Sequence, residues 1–183
     1  MRSSRLRWVV LCTAALVALG LVHASRSAAA TGSLAEMNQR IAARFPEVPT
    51  ISVETLAQWM EGRGAAAPLV LDVRAQDEFE VSHLPTAQWA GTERRQRALL
   101  EQSSPGQPVV LYCSVGWRSA EATKRLLKAG HPVFNLRGSI FEWAHEGHPL
   151  TDGTRAVQVV HPYDRTWGQL LERRFWPAAW ASP

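Results

Sequence analysis

The stretch that decides the fold reads VVLYCSVGWRS over residues 109–119 and leads into a helical pattern that runs to residue 129. Its first four residues are apolar without alternation, which is typical of a strand that is buried on both faces. A short loop with one glycine follows, and the spacing of apolar residues then becomes that of a helix. A strand, a turn and a helix in this order predict one unit of a parallel α/β sheet.

Two other apolar runs, Leu69–Leu71 and Val133–Phe134, predict strands of the same sheet, because turn residues and a helical pattern follow each of them. Strands that alternate with helices predict an α/β fold with a central, mostly parallel sheet and helices on both faces. Helices are expected at residues 34–45, after an N-cap at Ser52, and at 76–81, 92–102, 119–129, 139–146 and 166–175.

The pattern divides the chain into four parts. Residues 1–30 differ in composition from the rest, 31–49 form an N-terminal helix and linker, 50–150 form the α/β domain, and 151–183 form a C-terminal tail. The tail is too short for a second domain, so we expect it to pack on the first. Its aromatic residues either complete that packing or offer a surface to a protein partner; they are Trp167, Phe175, Trp176 and Trp180.

The net charge of the chain belongs to its N-terminus. The whole chain has 20 Lys and Arg against 16 Asp and Glu. Residues 1–30 hold four of these arginines and no acid, and 20 less four leaves 16 basic against 16 acidic residues from Thr31 onward. A neutral domain has no basic excess to displace counterions from a polyanion, so nucleic acid is not an expected partner.

Residues 1–30 have the pattern of a secretory signal. Three arginines precede an uncharged stretch from Trp8 to Val22, and small residues follow it. We therefore expect a signal peptide and an exported domain, in the periplasm. The alternative is an uncleaved segment over residues 8–24 that anchors the domain to the membrane, outside the cytoplasm.

Removal of a signal peptide would leave one cysteine. Cys12 lies inside the apolar stretch, so Cys113 alone would remain in a compartment that permits disulfides. A lone thiol cannot form an intramolecular bridge. It is either a small buried apolar residue or a reactive group, and its surroundings favour the second.

Cys113 follows a predicted strand directly, and a predicted helix begins about six residues later. The carboxyl edge of a parallel sheet is where α/β proteins place their chemistry. The N–H groups of the loop and the positive end of the helix dipole favour a thiolate. Gly116 allows a turn with positive φ, Ser119 is expected to cap the helix, and Arg118 adds a fixed positive charge.

Four short motifs follow one another between residues 50 and 150. They are LDVR at 71–74 with Glu78 and Phe79, HLP at 83–85 with Ala87, the loop Cys113–Ser119, and NLRGS at 135–139 with Trp143 and Pro149. Their identity and order resemble the rhodanese superfamily. The chain departs from the family pattern at Ser82, Thr86, Ser114 and Ser139.

The resemblance implies the three-layer rhodanese fold and the activity of a sulfurtransferase. The Cys113 thiolate would take a sulfane sulfur from a small sulfur-containing anion such as thiosulfate and hold it as a persulfide. A thiol or cyanide acceptor would then remove it, without a metal or organic cofactor. The backbone of the active loop is expected to hold the persulfide anion; its residues are Ser114, Val115, Gly116, Trp117, Arg118 and Ser119.

The resemblance also implies roles for residues outside the loop. Arg74 is expected to bind an anionic donor, Asp72 to pair with Arg118, and His83 to hold its own loop by hydrogen bonds. Ser114 stands where many active members have arginine, which removes one cation from the loop. A second hypothesis therefore stays open: a catalytically weak binding or redox-sensing module that uses Cys113 as a reactive thiol.

Two other functions, the handling of a tetrahedral oxyanion and metal binding, are not expected. Four residues separate Cys113 from Arg118, whereas related phosphatase and arsenate-handling loops have five. The shorter ring of amides suits a sulfur atom better than a tetrahedral oxyanion. His145 and His148 have no third ligand beside them, so no metal site is expected.

Overall fold

A five-stranded sheet lies at the centre of the computed structural model, which describes residues 34–63 and 67–181. All of its pairings are parallel, and the strand order is β1-β5-β4-β2-β3. The strands are β1 (Thr50–Ile51), β2 (Leu69–Asp72), β3 (Gln88–Trp89), β4 (Val109–Tyr112) and β5 (Phe134–Leu136). The predicted α/β fold with a parallel sheet is confirmed.

Helices cover both faces of this sheet. They are α1 (residues 34–44), α2 (Val53–Met60), α3 (Gln76–Val81), α4 (Glu93–Glu101), α5 (Trp117–Lys128) and α6 (Ser139–His145). Alternate strand residues enter two separate cores: Val70 and Val110 pack with side chains of α1, α2 and α6, whereas Leu71 and Leu111 pack with those of α4 and α5. Burial on both faces explains why β2 and β4 are apolar without alternation.

Most helix boundaries lie within one or two residues of those expected. The side chain of Ser52 accepts a hydrogen bond from the N–H of Thr55 and caps α2, as its sequence predicts. The cap predicted at Ser119 is wrong, because α5 begins at Trp117 and the buried Ser119 lies inside its first turn. Gly116, with φ of 105°, leads the chain into α5 without a side-chain cap.

The C-terminal tail contains short elements instead of the single helix predicted for residues 166–175. They are an antiparallel pair, β6 (Leu150–Thr151) and β7 (Ala156–Val157), the 3₁₀ turns Trp167–Leu170 and Arg173–Phe175, and α7 (Ala178–Ala181). The chain is extended at Leu171, between the two 3₁₀ turns. This break lets Leu171 and Trp176 both enter the core that contains Val110.

The predicted signal or anchor, residues 1–30, lies outside the described residues. Among the residues that the structure describes, no helix has both the length and the apolar character needed to cross a membrane.

Candidate active site

Cys113 lies directly after β4, at the carboxyl edge of the sheet, and only 1% of its surface is exposed. The backbone N–H of Gly116 donates a hydrogen bond to its sulfur at 3.2 Å. The positive φ of Gly116 bends the loop back toward the sulfur before α5 begins. The sulfur therefore lies beside a helix N-terminus, where backbone dipoles favour negative charge.

The first turn of α6 holds the backbone of Cys113 in place. The hydroxyl of Ser139 accepts a hydrogen bond from the Cys113 N–H at 3.2 Å and donates one to the Leu136 carbonyl at 3.1 Å. The N–H of Ile140 donates to the Cys113 carbonyl at 3.2 Å. Both backbone polar groups of the cysteine are thus satisfied by one neighbouring turn.

The rest of the loop is held by the same part of the fold. The N–H of Phe141 donates to the Ser114 carbonyl at 3.1 Å. The side-chain amide of Asn135, in β5, donates to the Gly116 carbonyl at 3.1 Å. Because β5 and α6 hold both ends of this short loop, its N–H groups keep a fixed direction around the sulfur.

Arg118 forms its ion pair with Glu78, a residue of α3 that sequence reasoning assigned only to a motif. Its Nη1 donates to Oε2 of Glu78 at 2.7 Å, and its Nη2 donates to Oε1 at 2.8 Å. Nη2 also donates to the Ser114 hydroxyl, which in turn donates to Glu78. The predicted pair between Asp72 and Arg118 is therefore wrong.

Asp72 instead pairs with Arg74, two residues further along the chain. The guanidinium donates to both carboxylate oxygens, with Nη2 to Oδ2 at 2.6 Å, and neither side chain is exposed. Arg74 also donates to the carbonyl of Ser82 at 2.6 Å and does not line the cavity at Cys113. Arg74 is therefore fully buried and lies outside the lining of the cavity in which a donor would reach Cys113.

Burial opposes the charged forms of Glu78 and Arg118, but their contact outweighs it. Burial raises the pKa of Glu78, while the hydrogen bond and charge of Arg118 lower it, so that its pKa lies below the ordinary value. Burial lowers the pKa of Arg118, while Glu78 and the charge of Cys113 raise it, so that its pKa lies above the ordinary value. Both partners are charged at neutral pH.

A cavity of about 110 Å³ opens above the sulfur. Its walls come from the active loop and, in addition, from the C-terminal tail; they are Cys113, Ser114, Val115, Trp117, Arg118, Tyr163 and Trp167. The Tyr163 ring lies 4.6 Å from the guanidinium carbon of Arg118. Sequence reasoning missed Tyr163, since nothing in the spacing of the tail indicates which residues return to the loop.

Two further residues, Trp117 of the active loop and His83, make specific contacts. The half-buried Trp117 packs edge-on against Phe45 of the N-terminal segment, with ring centroids 5.4 Å apart. Nδ1 of His83 lies 2.9 Å from the Phe79 carbonyl, and the two rings stack. These contacts agree with the expectation that His83 holds its loop. Within residues 34–63 and 67–181, no group of three or more His, Cys, Asp and Glu could hold a metal ion.

Comparison with known protein families identifies the family to which this chain belongs. The family described as Rhodanese-like domain matches residues 52–146, half of the chain. The chain belongs to the rhodanese-like domain family. This rhodanese-like domain has sulfurtransferases among its relatives: it is 30% identical over 89 residues to thiosulfate sulfurtransferase GlpE of Coxiella burnetii, covering 48% of the chain and 80% of the relative.

Other relatives of the rhodanese-like domain carry similar names. It is 32% identical over 94 residues to thiosulfate sulfurtransferase 18 of Arabidopsis thaliana, covering 44% of the chain and 69% of the relative. It is 30% identical over 86 residues to the adenylyltransferase and sulfurtransferase UBA4 of Candida albicans, covering 43% of the chain. The chain spans only 20% of that larger protein's length, and 28% of a similar mycobacterial protein.

Solved structures agree on the fold of the rhodanese-like domain. The crystal structure of the BH2092 protein from Bacillus halodurans matches with a TM-score of 0.53 and 19% identity, covering 68% of this chain and 91% of that one. Thiosulfate sulfurtransferase from Pseudomonas aeruginosa matches with a TM-score of 0.53 and 24% identity, covering 73% of this chain and 26% of that one. At this identity, the likeness concerns the fold alone.

Proposed function

We propose that this chain is a sulfurtransferase that carries a sulfane sulfur as a persulfide on Cys113. The observation that carries the proposal is the placement of the sulfur. It lies at a helix N-terminus, 3.2 Å from the Gly116 N–H, and lines a small cavity. The family membership and the relatives named as thiosulfate sulfurtransferases support it.

The chemistry needs one nucleophile and a place for negative charge. The Cys113 thiolate attacks the outer sulfur of a donor such as thiosulfate, the sulfur–sulfur bond of the donor breaks, and sulfite leaves with the electron pair. The loop N–H groups stabilise the anionic persulfide that forms. Cyanide or a thiolate then attacks the outer persulfide sulfur, carries it away as thiocyanate or a new persulfide, and restores the Cys113 thiolate.

The proposal is tested by mass spectrometry of the domain after incubation with thiosulfate and other sulfane donors. We expect the mass of one added sulfur on the peptide that contains Cys113, its loss on addition of cyanide, and no addition in a Cys113→Ser variant. If no donor adds sulfur to Cys113, the sulfurtransferase proposal is wrong and the binding or redox-sensing hypothesis is favoured.

We also propose that the domain is exported, on the basis of the arginines and the apolar stretch in residues 1–30. Expression of the full chain in a bacterial host, followed by fractionation and N-terminal mass analysis, tests this. A mature N-terminus near residue 30 in the periplasmic fraction supports a cleaved signal. An intact chain in the membrane fraction supports the anchor, and an intact chain in the cytoplasmic fraction contradicts export.

A further inference from the structure

Two buried amide oxygens accept no hydrogen bond from any group in the described part of the chain. They are Oδ1 of Asn38, in α1, and Oδ1 of Asn135, in β5. Only 1% of the surface of Asn135 is exposed. A buried oxygen that has lost its hydration destabilises the fold unless a donor reaches it, so both oxygens indicate a place where a donor binds.

The two asparagines line a pocket of about 40 Å³ beside Gly116, here called the amide pocket. The nitrogen of each amide already has a partner. Nδ2 of Asn38 donates to Oε2 of Glu142 at 2.7 Å, and Nδ2 of Asn135 donates to the Gly116 carbonyl at 3.1 Å. The oxygens are therefore the groups that these two amides offer to the pocket, and a ligand that satisfies both must donate two hydrogen bonds.

The size and charge of the amide pocket favour water as this ligand. A water molecule needs about 10–15 Å³ of such space, and it can donate to two oxygens at once. Thr50 also lines the pocket and carries a hydroxyl that can serve as a third partner. Arg137, in the same wall, lies 3.5 Å from the carboxylate of Glu142, so this pair offers no excess negative charge to a metal ion.

Asn135 connects the amide pocket to the reactive sulfur. The Gly116 carbonyl accepts hydrogen bonds from Asn135 and from the N–H of Ala120 at 3.0 Å, while the Gly116 N–H donates to Sγ of Cys113 at 3.2 Å. Gly116 has a left-handed φ of 105°, and the direction of its N–H depends on how the rest of the residue is held. A displaced Asn135 amide would therefore weaken the hydrogen bond to the sulfur.

We propose that the amide pocket binds an ordered water that donates to both asparagines, and that Asn38 thereby acts as a positioning residue for Cys113. The inference rests on the proposed use of Cys113 as the nucleophile. Hydrogen bonds in such a chain polarise and strengthen one another. The family match begins at residue 52, so Asn38 brings a segment outside that match into the support of the active loop.

A crystal structure of the protein tests the ligand directly. We expect density for one water about 2.8 Å from each of the two Oδ1 atoms. Six or more oxygens at about 2.3–2.6 Å would indicate a metal ion such as Ca²⁺ and would overturn the assignment of water. A pocket without ordered density would overturn it as well.

Asn38→Leu tests the positioning role, because leucine has a similar size and removes the acceptor. Alkylation of Cys113 by iodoacetamide is followed on its peptide by mass spectrometry. We expect the rate at pH 7 to fall about threefold to tenfold and the pH profile to move up by about half a unit to one unit, because the Gly116 N–H stabilises a thiolate less well.

Met37→Ala is the matched control. Met37 is the neighbouring residue of α1, is buried in the core and does not line the amide pocket. Its loss should destabilise the packing of α1 but leave the alkylation rate and its pH profile unchanged. Equal effects of Met37→Ala and Asn38→Leu would show that Asn38 acts through folding alone, and would overturn the positioning role.

A double variant tests whether the two asparagines act through one water. Asn135→Leu should slow alkylation more than Asn38→Leu, because it also removes the hydrogen bond to Gly116. Asn38→Leu should then have no further effect when it is added to Asn135→Leu. Additive effects would contradict the shared water. If a variant does not fold, the crystal structure of the wild type still decides whether the water is present.

The failure of this inference is distinguishable from that of the proposed function, because alkylation requires no sulfur transfer. If alkylation responds as expected but no donor adds sulfur to Cys113, the positioning role stands and the sulfurtransferase proposal fails. If a persulfide forms but Asn38→Leu leaves alkylation unchanged, the proposed function stands and the positioning role is wrong.

Discussion

Ser139 combines a left-handed backbone, with φ of 53°, and a side chain that holds the reactive cysteine. Its hydroxyl joins the Cys113 N–H to the Leu136 carbonyl. The preceding Gly138 is also left-handed, and a β-carbon there would overlap the side chain of Glu142. The serine thus occupies a conformation that suits glycine because its hydroxyl satisfies buried backbone groups that glycine would leave without a partner.

Substitutions at Ser139 should separate these two effects. Ser139→Ala keeps the left-handed strain and removes both hydrogen bonds, so we expect a loss of about 1–3 kcal/mol in the free energy of unfolding. Ser139→Gly removes the same bonds but relieves about 1 kcal/mol of strain, and should be the milder change. Urea denaturation of both variants measures the order. If alanine is tolerated as well as glycine, the strain assigned to this position is wrong.

Also at the residue scale, two carboxylates could pair with Arg118, and the sequence-based prediction named the wrong one. Asp72 ends β2 and Glu78 lies in the helix that follows, and the family resemblance implied Asp72 as the partner of Arg118. In the structure, Arg74 folds back onto Asp72, while Glu78 in α3 faces the loop and binds Arg118, 40 residues away in the chain. Which carboxylate reaches Arg118 depends on how α3 packs, and this packing is a property of the tertiary structure.

At the scale of elements, the C-terminal tail is part of the core as well as of the cavity. Val160, Leu171 and Trp176 are buried in the core that contains Val110, and the indole of Trp176 donates to the Leu171 carbonyl. The same segment carries Tyr163 and Trp167 to the reactive cysteine. The two roles foreseen for the aromatic residues of the tail were packing and partner binding, and neither included the active-site wall.

Loss of Trp176 should destabilise the whole domain. Trp176→Ala removes a large buried ring, and we expect the free energy of unfolding to fall by about 3–5 kcal/mol. Trp180→Ala, at a half-buried position that contacts His161, is the matched control and should cost clearly less. Thermal and urea denaturation followed by circular dichroism measure both. Equal, small losses would show that the tail does not contribute to the core.

At the scale of the whole molecule, two histidines are expected to make stability depend on pH: His145, which joins α6 to the tail, and His161, which lies within the tail. Nε2 of His145 accepts the N–H of Glu172 at 3.2 Å, and Nδ1 of His161 accepts the N–H of Tyr163 at 3.0 Å. Burial lowers the pKa of His145 most; Arg174 also lowers it, and Glu172 opposes. Burial also dominates at His161 and keeps its pKa low, although Glu78 and Asp77 oppose.

Because both histidines have a lower pKa in the folded state, the unfolded chain binds protons more readily. Their stabilising contribution is complete above the unfolded value of about 6.5 and is lost as the pH falls through the folded values. We expect the melting temperature to decrease from pH 7.5 to pH 5. His145→Gln with His161→Asn keeps both acceptors without a titrating ring and should flatten this decrease, whereas the control His131→Gln should not. An unchanged slope in the double variant would contradict this origin.

The sequence by itself determined the three central strands β2, β4 and β5, most helix boundaries and the place of Cys113. Continuous apolar runs, turn residues and helical spacing are local signals, and β4 was predicted from them residue for residue. Only the tertiary structure decided that Arg118 pairs with Glu78, that Arg74 is buried against Asp72, and that the tail brings Tyr163 to the cavity. Those contacts join segments that are distant in the chain or depend on which side chains the packing buries, and local patterns carry no information about either.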